Sequence, residues 1–288
     1  MTMNSIDTIE RFRTIKPEIV ISPNAALAEL SKSVLNGFYE FKKDDAGYQV
    51  HETICILDDM RNKTRWQEYS EFDRIVHDCA VSHYNAGNHV FSLEILCKTV
   101  SGDRETISPE YKKAVLNSLF KLMRTIIEIR GEYKGKEIHY FGNLLHVEIL
   151  ATASINGFPV NEAISIIREP ILYTYSQSRN HIISYPVKLL AVGGNTSTRT
   201  TSLNSFMLRR IEQIKNRRKI SKYIKYDSIY QTTQAVTKIE KQRVRNNLHK
   251  FLNNLVKQQY ISEYQIIPKD RCRYHSVKIL SSTEKVIP

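Results

Sequence analysis

The sequence lacks the residue patterns that most often hold metals, nucleotides or reactive thiols. Its cysteines form no Cys-x-x-Cys pair, so their spacing indicates neither a zinc site nor a disulfide framework. They are Cys55, Cys79, Cys97 and Cys272. There is no Gly-x-x-x-x-Gly-Lys-Ser/Thr loop, which excludes a P-loop ATPase, and no Gly-x-Gly-x-x-Gly turn. We therefore expect no cofactor and no bound metal.

The patterns of DNA-nicking enzymes are absent as well. A rolling-circle nickase needs a metal-binding His-hydrophobic-His pair, whereas His139-Tyr140-Phe141 supplies one histidine only. His77 and Cys79 cannot easily share a metal on a helix, because residues two positions apart point about 200° away from each other. We therefore expect that this protein is not an enzyme.

Long apolar runs are also missing. No run reaches the roughly 20 residues that a membrane span needs. Residues 1–16 are polar and lack the apolar centre of a signal peptide. We therefore expect a cytoplasmic protein without a membrane partner, in which the thiols stay reduced.

An excess of positive over negative charge, by contrast, is present and is concentrated in one segment. The 288 residues suffice for about two domains, and their net charge is +12. Residues 199–257 contain 15 Lys or Arg and 3 Asp or Glu, whereas residues 1–198 contain 22 and 24. Such a local excess is typical of a surface that binds phosphates. A basic surface that serves only to keep the protein in solution is the simpler alternative.

The basic segment has the element order of a winged helix. Apolar spacing predicts helices over residues 201–218, 226–236 and 238–259. Alternating apolar residues at 261–267 and 274–280 predict a β-hairpin after them. Three helices followed by a hairpin form a helix-turn-helix with an appended strand pair.

The third of these helices has two different faces. Five apolar residues recur at helical spacing and predict its buried stripe: Val244, Leu248, Phe251, Leu252 and Leu255. The opposite face collects residues that can read base edges in a major groove, where Arg pairs with guanine and Asn or Gln with adenine. These candidates are Gln242, Arg243, Asn246, Lys250 and Asn253. A solvated face on an ordinary bundle helix is the competing interpretation.

Further basic residues flank this helix at places suited to phosphate contacts, which position a protein on DNA without selecting a sequence. The densest run lies at the end of the first helix and in the turn after it: Arg217, Arg218, Lys219, Lys222 and Lys225. Arg271 and Arg273 fall at the tip of the predicted hairpin, where a wing would reach the minor groove or the backbone.

Residues 71–192 are predicted to have the same order of elements as the basic segment, which is three helices followed by a β-hairpin. Helical spacing begins at Glu71, breaks near Gly87, resumes after Ser92 and starts again at Ser108-Pro109. Segments 125–129 and 137–141 predict a hairpin. Segments 144–153, 164–167 and 170–175 predict further strands of an enlarged sheet. The third helix is expected to contact a neighbouring groove through Lys113, Asn117, Lys121 and Arg124.

We therefore predict an α+β protein with two tandem winged-helix domains and an N-terminal extension. The extension covers residues 1–70, the first winged helix residues 71–192, and the basic winged helix residues 199–280. The glycine pair and small polar residues of segment 193–200 predict a flexible connection. In the extension, segments 17–23 and 50–57 favour strands, and segment 24–35 favours a helix.

Four segments carry a family resemblance. They are residues 72–78 (Phe-Asp-Arg-Ile-Val-His-Asp), 84–88 (Tyr-Asn-Ala-Gly-Asn), 169–173 (Glu-Pro-Ile-Leu-Tyr) and 206–211 (Phe-Met-Leu-Arg-Arg-Ile). In these segments the chain resembles replication-initiator-like proteins from plasmids and mobile elements of Gram-positive bacteria. The resemblance spans residues 70–280. It implies tandem winged helices that bind repeated double-stranded DNA sites at an origin and recruit host replication proteins, without catalysis.

Other functions use the same elements. A transcriptional repressor or partition-type regulator would bind DNA with the same helices, and a winged-helix scaffold would bind proteins instead. Direct repeats beside the gene favour initiation, whereas a palindrome over a promoter favours repression. A scaffold predicts little salt-dependent affinity for DNA. The enlarged first sheet is a candidate contact for a homodimer or a partner protein.

Overall fold

The chain forms a mixed α/β protein with small sheets. The computed structural model describes residues 11–12, 14–23, 38–45, 48–56, 69–133, 136–155, 158–178, 180–193, 197–216, 221–268 and 275–280. The helices are α1 (Glu71–Asn85), α2 (Leu93–Val100), α3 (Pro109–Arg124), α4 (Ile171–Ser178), a 3-10 helix (Val187–Ala191), α5 (Thr198–Asn216), α6 (Tyr226–Thr232) and α7 (Lys238–Lys257). The strands are β1 (Arg11–Phe12), β2 (Ile19–Pro23), β3 (Phe38–Asp45), β4 (Tyr48–Ile56), β5 (Val90–Ser92), β6 (Thr125–Tyr133), β7 (Lys136–Asn143), β8 (Val147–Ile155), β9 (Phe158–Ile166), β10 (Ile182–Pro186), β11 (Tyr223–Lys225), β12 (Glu263–Ile267) and β13 (Ser276–Leu280).

Serine caps start the first three helices. The side-chain oxygen of Ser70 accepts a hydrogen bond from the backbone N–H of Asp73 at 3.1 Å, and Asp73 accepts one from the backbone N–H of Ser70 at 2.8 Å. Ser92 and Ser108 cap α2 and α3 in the same way. Each cap satisfies an N–H group that the helix itself cannot bond, which is why these helices begin where the sequence predicted.

The second half of the chain follows the predicted order. Helices α5, α6 and α7 and strands β12 and β13 form at the predicted places, with small differences at their ends. The short strand β11 was not predicted. It precedes α6 and pairs antiparallel with β13, so the sheet order is β11-β13-β12.

The first half has the same order of helices and strands and the same strand pairing as the second half, but the hairpin β6-β7 is inserted in it. Helix α1 is followed by β5, α2, α3, β8 and β9, and β5 pairs antiparallel with β9 as β11 does with β13. The hairpin predicted after the third helix is present as β6 and β7. It pairs through β6 with β4, however, and not with β5. The strands equivalent to β12 and β13 are therefore β8 and β9.

One predicted strand is a helix. Segment 170–175 was assigned to the enlarged sheet, but α4 covers Ile171–Ser178. Leu172 and Ser176 lie four positions apart and are both buried, which matches a helical face. The carbonyl of Pro170 accepts hydrogen bonds from the backbone N–H groups of Tyr173 and Thr174, at 3.0 and 3.1 Å, and these close the first turn.

The N-terminal residues that the structure describes pair with later strands. The predicted strand at 17–23 is confirmed as β2, which pairs with β10. The predicted strand at 50–57 is confirmed as β4, which joins the sheet β3-β4-β6-β7. The helix predicted at 24–35 lies outside the described residues.

The two halves pack together on one core. Buried apolar residues from Val20 to Ile279 form a continuous hydrophobic cluster, and α1 packs against α5. The segment predicted as a flexible connection is held at its start, because a Cβ on Gly193 would lie 2.9 Å from the backbone of Phe251. The side chain of Asn204 donates to the carbonyls of Leu190 and Val192, just before the segment. At the end of the segment, α5 has already begun at Thr198.

Candidate nucleic-acid interface

Helix α7 is built from a strong cap and a fully buried stripe. The side chain of Thr237 accepts from the backbone N–H of Glu240 at 3.2 Å, and Glu240 accepts in return from the N–H of Thr237 at 3.0 Å. This reciprocal cap satisfies N–H groups at both ends of the first turn. The five residues predicted to be buried are all in the core: Val244, Leu248, Phe251, Leu252 and Leu255.

The opposite face of α7 is open to solvent. The five base-reading candidates are exposed: Gln242, Arg243, Asn246, Lys250 and Asn253. Gln242 donates from its amide to the side-chain oxygen of Asn246 at 3.1 Å. Asn253 accepts from the hydroxyl of Tyr264 on β12 at 2.8 Å. These hydrogen bonds orient the side-chain amides of Gln242, Asn246 and Asn253. Arg243 lines a groove of about 520 Å³ between the start of α5 and the first half of α7.

The electrostatics of this face are positive. Helix α7 carries six Lys or Arg residues and one acid, Glu240. That acid is paired, because Arg199 of α5 donates to its carboxylate at 2.8 Å. The backbone N–H of Thr237 and this guanidinium lower the pKa of Glu240 to about 2, so it stays ionised and neutralised. The net charge facing solvent around α7 is therefore positive.

One basic residue of α7 points sideways into an aromatic cluster. The guanidinium of Arg245 lies 5.5 Å from the ring of Tyr226 and 5.7 Å from that of Tyr230, and its Nε donates to the Tyr230 hydroxyl. Both tyrosines are buried, so they act as packing residues. The paired spacing of Tyr226 and Tyr230 on α6 is the sequence signal for this arrangement.

The flanking phosphate candidates are only partly described. Lys222 is half-buried beside β11, and its carbonyl accepts from the backbone N–H of Ile279 at 3.0 Å. Lys225 is exposed and occupies the cap position of α6. The remaining members of this set lie outside the described residues: Arg217, Arg218, Lys219, Arg271 and Arg273.

Helix α3 of the first half exposes three of its four candidates. Lys113, Asn117 and Arg124 are open to solvent. Lys121 differs, because its ammonium donates to the carboxylate of Asp73 at 2.7 Å and lies over the ring of Tyr69. Its ammonium is paired within the protein and is less exposed than the other three candidates, so Lys121 is less available to a phosphate. Helical spacing could not reveal this, since Asp73 is distant in sequence.

The part of the chain that the structure describes holds no group of three or more His, Cys, Asp or Glu side chains arranged for a metal. His77 bonds to Asp78 and His83 to Thr99. Burial lowers the pKa of His83 to about 3, which makes it a neutral core residue. Among the described helices, none is both long and apolar enough to cross a membrane.

Comparison with known proteins gives few matches. No protein-family model matches this chain, and no curated protein matches it. The chain is similar to a crystal structure of SeMet derivatives of domains 2 and 3 of RctB, with 8% identity over 89% of this chain and 95% of that chain, at a TM-score of 0.45. It is also similar to a crystal structure of RctB domains 2-3, with 10% identity over 76% and 78% of the two chains, at a TM-score of 0.41. Likenesses at this level assign neither a function nor a specific fold.

Proposed function

We propose that this chain is a sequence-specific double-stranded DNA-binding protein that inserts α7 into a major groove. The observation that carries the proposal is the division of α7 into a buried apolar stripe and an exposed face of Gln, Arg and Asn within a positive surface. Those side chains have the donors and acceptors that match base edges. Arg243 and Asn246 would contact bases, together with Gln242.

We further propose that each half is a winged helix. The supporting observation is that, apart from the inserted hairpin β6-β7, both halves share one order of helices and strands, and that three strands of each pair in one order, β5-β9-β8 and β11-β13-β12. In such a domain the third helix is the reader, so α3 would contact a second stretch of DNA through Lys113, Asn117 and Arg124. Lys222 and Lys225 would hold phosphates near α7, and the sequence suggests the same role for Arg217, Arg218, Lys219, Arg271 and Arg273, which lie outside the described residues.

The biological role that we propose is replication initiation at repeated sites of a plasmid or mobile-element origin, in the cytoplasm and without catalysis. The sequence resemblance to initiator-like proteins supports it. Two DNA-binding helices in one chain also suit tandem sites, because binding of one helix to its site raises the effective concentration of the other at the neighbouring site. Host replication proteins are the proposed partners, and a homodimer is a further proposal.

The test of DNA binding is a fluorescence anisotropy titration of the full chain against duplexes selected from a random library. We expect affinity to fall steeply between roughly 50 and 200 mM salt, because phosphate contacts release counterions. Affinity that is weak and independent of salt would favour the scaffold alternative. Footprinting on the DNA beside the gene then separates initiation from repression: direct repeats support the first and a promoter palindrome the second.

A pair of substitutions tests base reading. Arg243→Ala should weaken binding to the selected duplex by roughly 1–3 kcal/mol and relax the choice of base at one position. Lys225→Ala is the control, which should weaken selected and random duplexes alike and reduce the salt slope by about one. If Arg243→Ala weakens binding to the selected and the random duplex equally, Arg243 contacts only the sugar-phosphate backbone of the DNA.

A further inference from the structure

Two large aliphatic side chains are exposed where α7 begins. Val236 is 79% exposed and Ile239 is 66% exposed. Ile239 precedes Gln242 by three positions and Arg243 by four, so it continues the same face of the helix. Val236 lies outside the helix, immediately before the cap residue Thr237. The proposed reading face is therefore apolar at Ile239 and polar in its middle, and a second exposed aliphatic side chain stands just before the helix.

The local structure does not need these side chains. A residue before a helix cap often packs against the fourth helical residue as a hydrophobic staple. Here the fourth residue is Lys241, whose ammonium lies 5.5 Å from the ring of Tyr230, so Val236 has no apolar staple partner. At position 239 a β-branched residue favours the helix less than Ala, Lys or Glu would. Neither burial nor helix propensity accounts for Val236 or Ile239.

The backbone just before and at the start of α7 is nevertheless held in place. Glu240 accepts hydrogen bonds from the backbone N–H groups of Val236 and Thr237, at 3.1 and 3.0 Å, and Arg199 anchors its carboxylate to α5. Val and Ile are also restricted at χ1. An apolar group that contacts them therefore has little ordering to impose on the protein, which favours binding.

The surroundings select one kind of occupant. Lys238, Lys241 and Arg243 flank the apolar pair, so the local surface attracts a polyanion. Two side chains are far smaller than a stable protein interface, which needs roughly 800 Å² from each partner. In the major groove of a polyanionic duplex, the apolar group at a base edge is the 5-methyl of thymine.

We propose that Val236 and Ile239 contact thymine 5-methyl groups and so make this chain select A·T pairs beside the bases read by Gln242 and Arg243. The inference rests on the proposed function, since it requires α7 to lie in a major groove. It assigns sequence selection to residues that lack hydrogen-bonding side chains. It also places an A·T preference at the end of the site that faces the start of α7.

The experiment replaces thymine by uracil, which removes the methyl group and keeps base pairing. Duplexes recovered by selection from a random library are synthesised with single dT→dU changes and titrated against the full chain. At one or two positions the change should weaken binding about fourfold, the factor for losing one buried methyl-sized group. With Ile239→Ala, or Val236→Ala, the uracil and thymine duplexes should bind equally at the matching position. Ile15→Ala is the matched control, because Ile15 is 69% exposed elsewhere and its backbone N–H bonds to Asn88; it should keep the fourfold difference.

The outcomes separate this inference from the proposed function. If no duplex shows salt-dependent binding, the proposed function fails and the inference falls with it. If selected duplexes bind but no dT→dU change alters affinity, the inference alone is overturned. It is likewise overturned if the thymine preference persists in the Val236→Ala, Ile239→Ala double variant. Circular dichroism of each variant should match the parent, since both positions are exposed.

Discussion

At the scale of single residues, Glu240 organises the start of the proposed reading helix. It is the one acid of α7, and it joins three things: the cap at Thr237, the backbone of Val236 and the guanidinium of Arg199. These contacts favour the ionised carboxylate, which is why the backbone N–H of Thr237 and the charge of Arg199 lower its pKa to about 2. An acid within a DNA-binding face would repel phosphate. Here the carboxylate is paired with Arg199 and caps the helix, so its charge is offset within the protein.

Removing this charge should make stability depend less on pH. The folded pKa of Glu240 is lowered from 4.5 to about 2. Its contribution is therefore present above pH 4.5 and is lost as the pH falls toward 2. We expect Glu240→Gln to be less stable than the parent at pH 7, with a difference in free energy of unfolding that stays constant down to about pH 4.5 and then shrinks.

Urea unfolding followed by circular dichroism at several pH values measures this difference. Glu240→Ala, which also loses the acceptor for the cap, should be destabilised further and keep part of its deficit at low pH. A difference between parent and Glu240→Gln that is unchanged between pH 4.5 and 2.5 would contradict the assignment.

At the scale of elements, two glycines with the same backbone angle have different surroundings. Gly87, after α1, and Gly193, before α5, both have φ near +83°, where L side chains are rarely found. A Cβ at Gly87 would meet nothing within 4 Å, whereas a Cβ at Gly193 would lie 2.9 Å from the backbone of Phe251 in α7. Gly193 therefore allows the connection to pack directly on the proposed reading helix.

The two alanine substitutions separate backbone strain from close packing. Gly87→Ala should cost about 1–2 kcal/mol, because only the left-handed conformation is penalised. Gly193→Ala should cost about 1–3 kcal/mol more, because the added methyl group must displace backbone. Thermal and urea unfolding of both variants measure the difference. Equal losses in the free energy of unfolding would show that the backbone at Gly193 is not tightly packed against α7.

At the scale of the whole molecule, a buried ion pair joins the two halves. Arg209 of α5 donates to the carboxylate of Glu71 in α1, and Ser205 donates to the same oxygen at 3.0 Å. Both charged residues are buried. Burial opposes the charged form of Arg209, but Glu71 and Asp78 outweigh it and raise its pKa, so the guanidinium remains charged. The packing of α1 against α5, and with it the joining of the two halves, therefore depends on polar contacts as well as on apolar packing.

Breaking this pair should be costly. Glu71→Ala leaves the buried guanidinium without its partner, and we expect a loss of about 3–5 kcal/mol in the free energy of unfolding. The control is Glu94→Ala, which removes a solvent-exposed pair with Lys98 at 2.8 Å and should cost no more than about 0.5 kcal/mol. Urea unfolding of both variants checks the contrast. A loss below about 1 kcal/mol for Glu71→Ala would mean that the halves do not depend on this contact.

Helix positions and the faces of α7 could be predicted from sequence because they depend on local signals. Caps at Ser108 and Thr237 and apolar residues three or four positions apart act within one or two turns. Strands β12 and β13 also form at their predicted places, since short apolar alternation is a local signal, whereas the short strand β11 was not predicted. The exposure of Gln242, Arg243 and Asn246 follows from the same periodicity.

Only the tertiary structure decided the features that depend on partners distant in sequence. Hairpin β6-β7 pairs with β4 and not with β5, segment 171–178 forms a helix, and Lys121 is neutralised by Asp73. The close contact of Gly193 with α7 and the buried pair between Glu71 and Arg209 are of the same kind. Spacing along the chain records which face of an element is apolar, but not which other element covers it, because many arrangements bury the same apolar area.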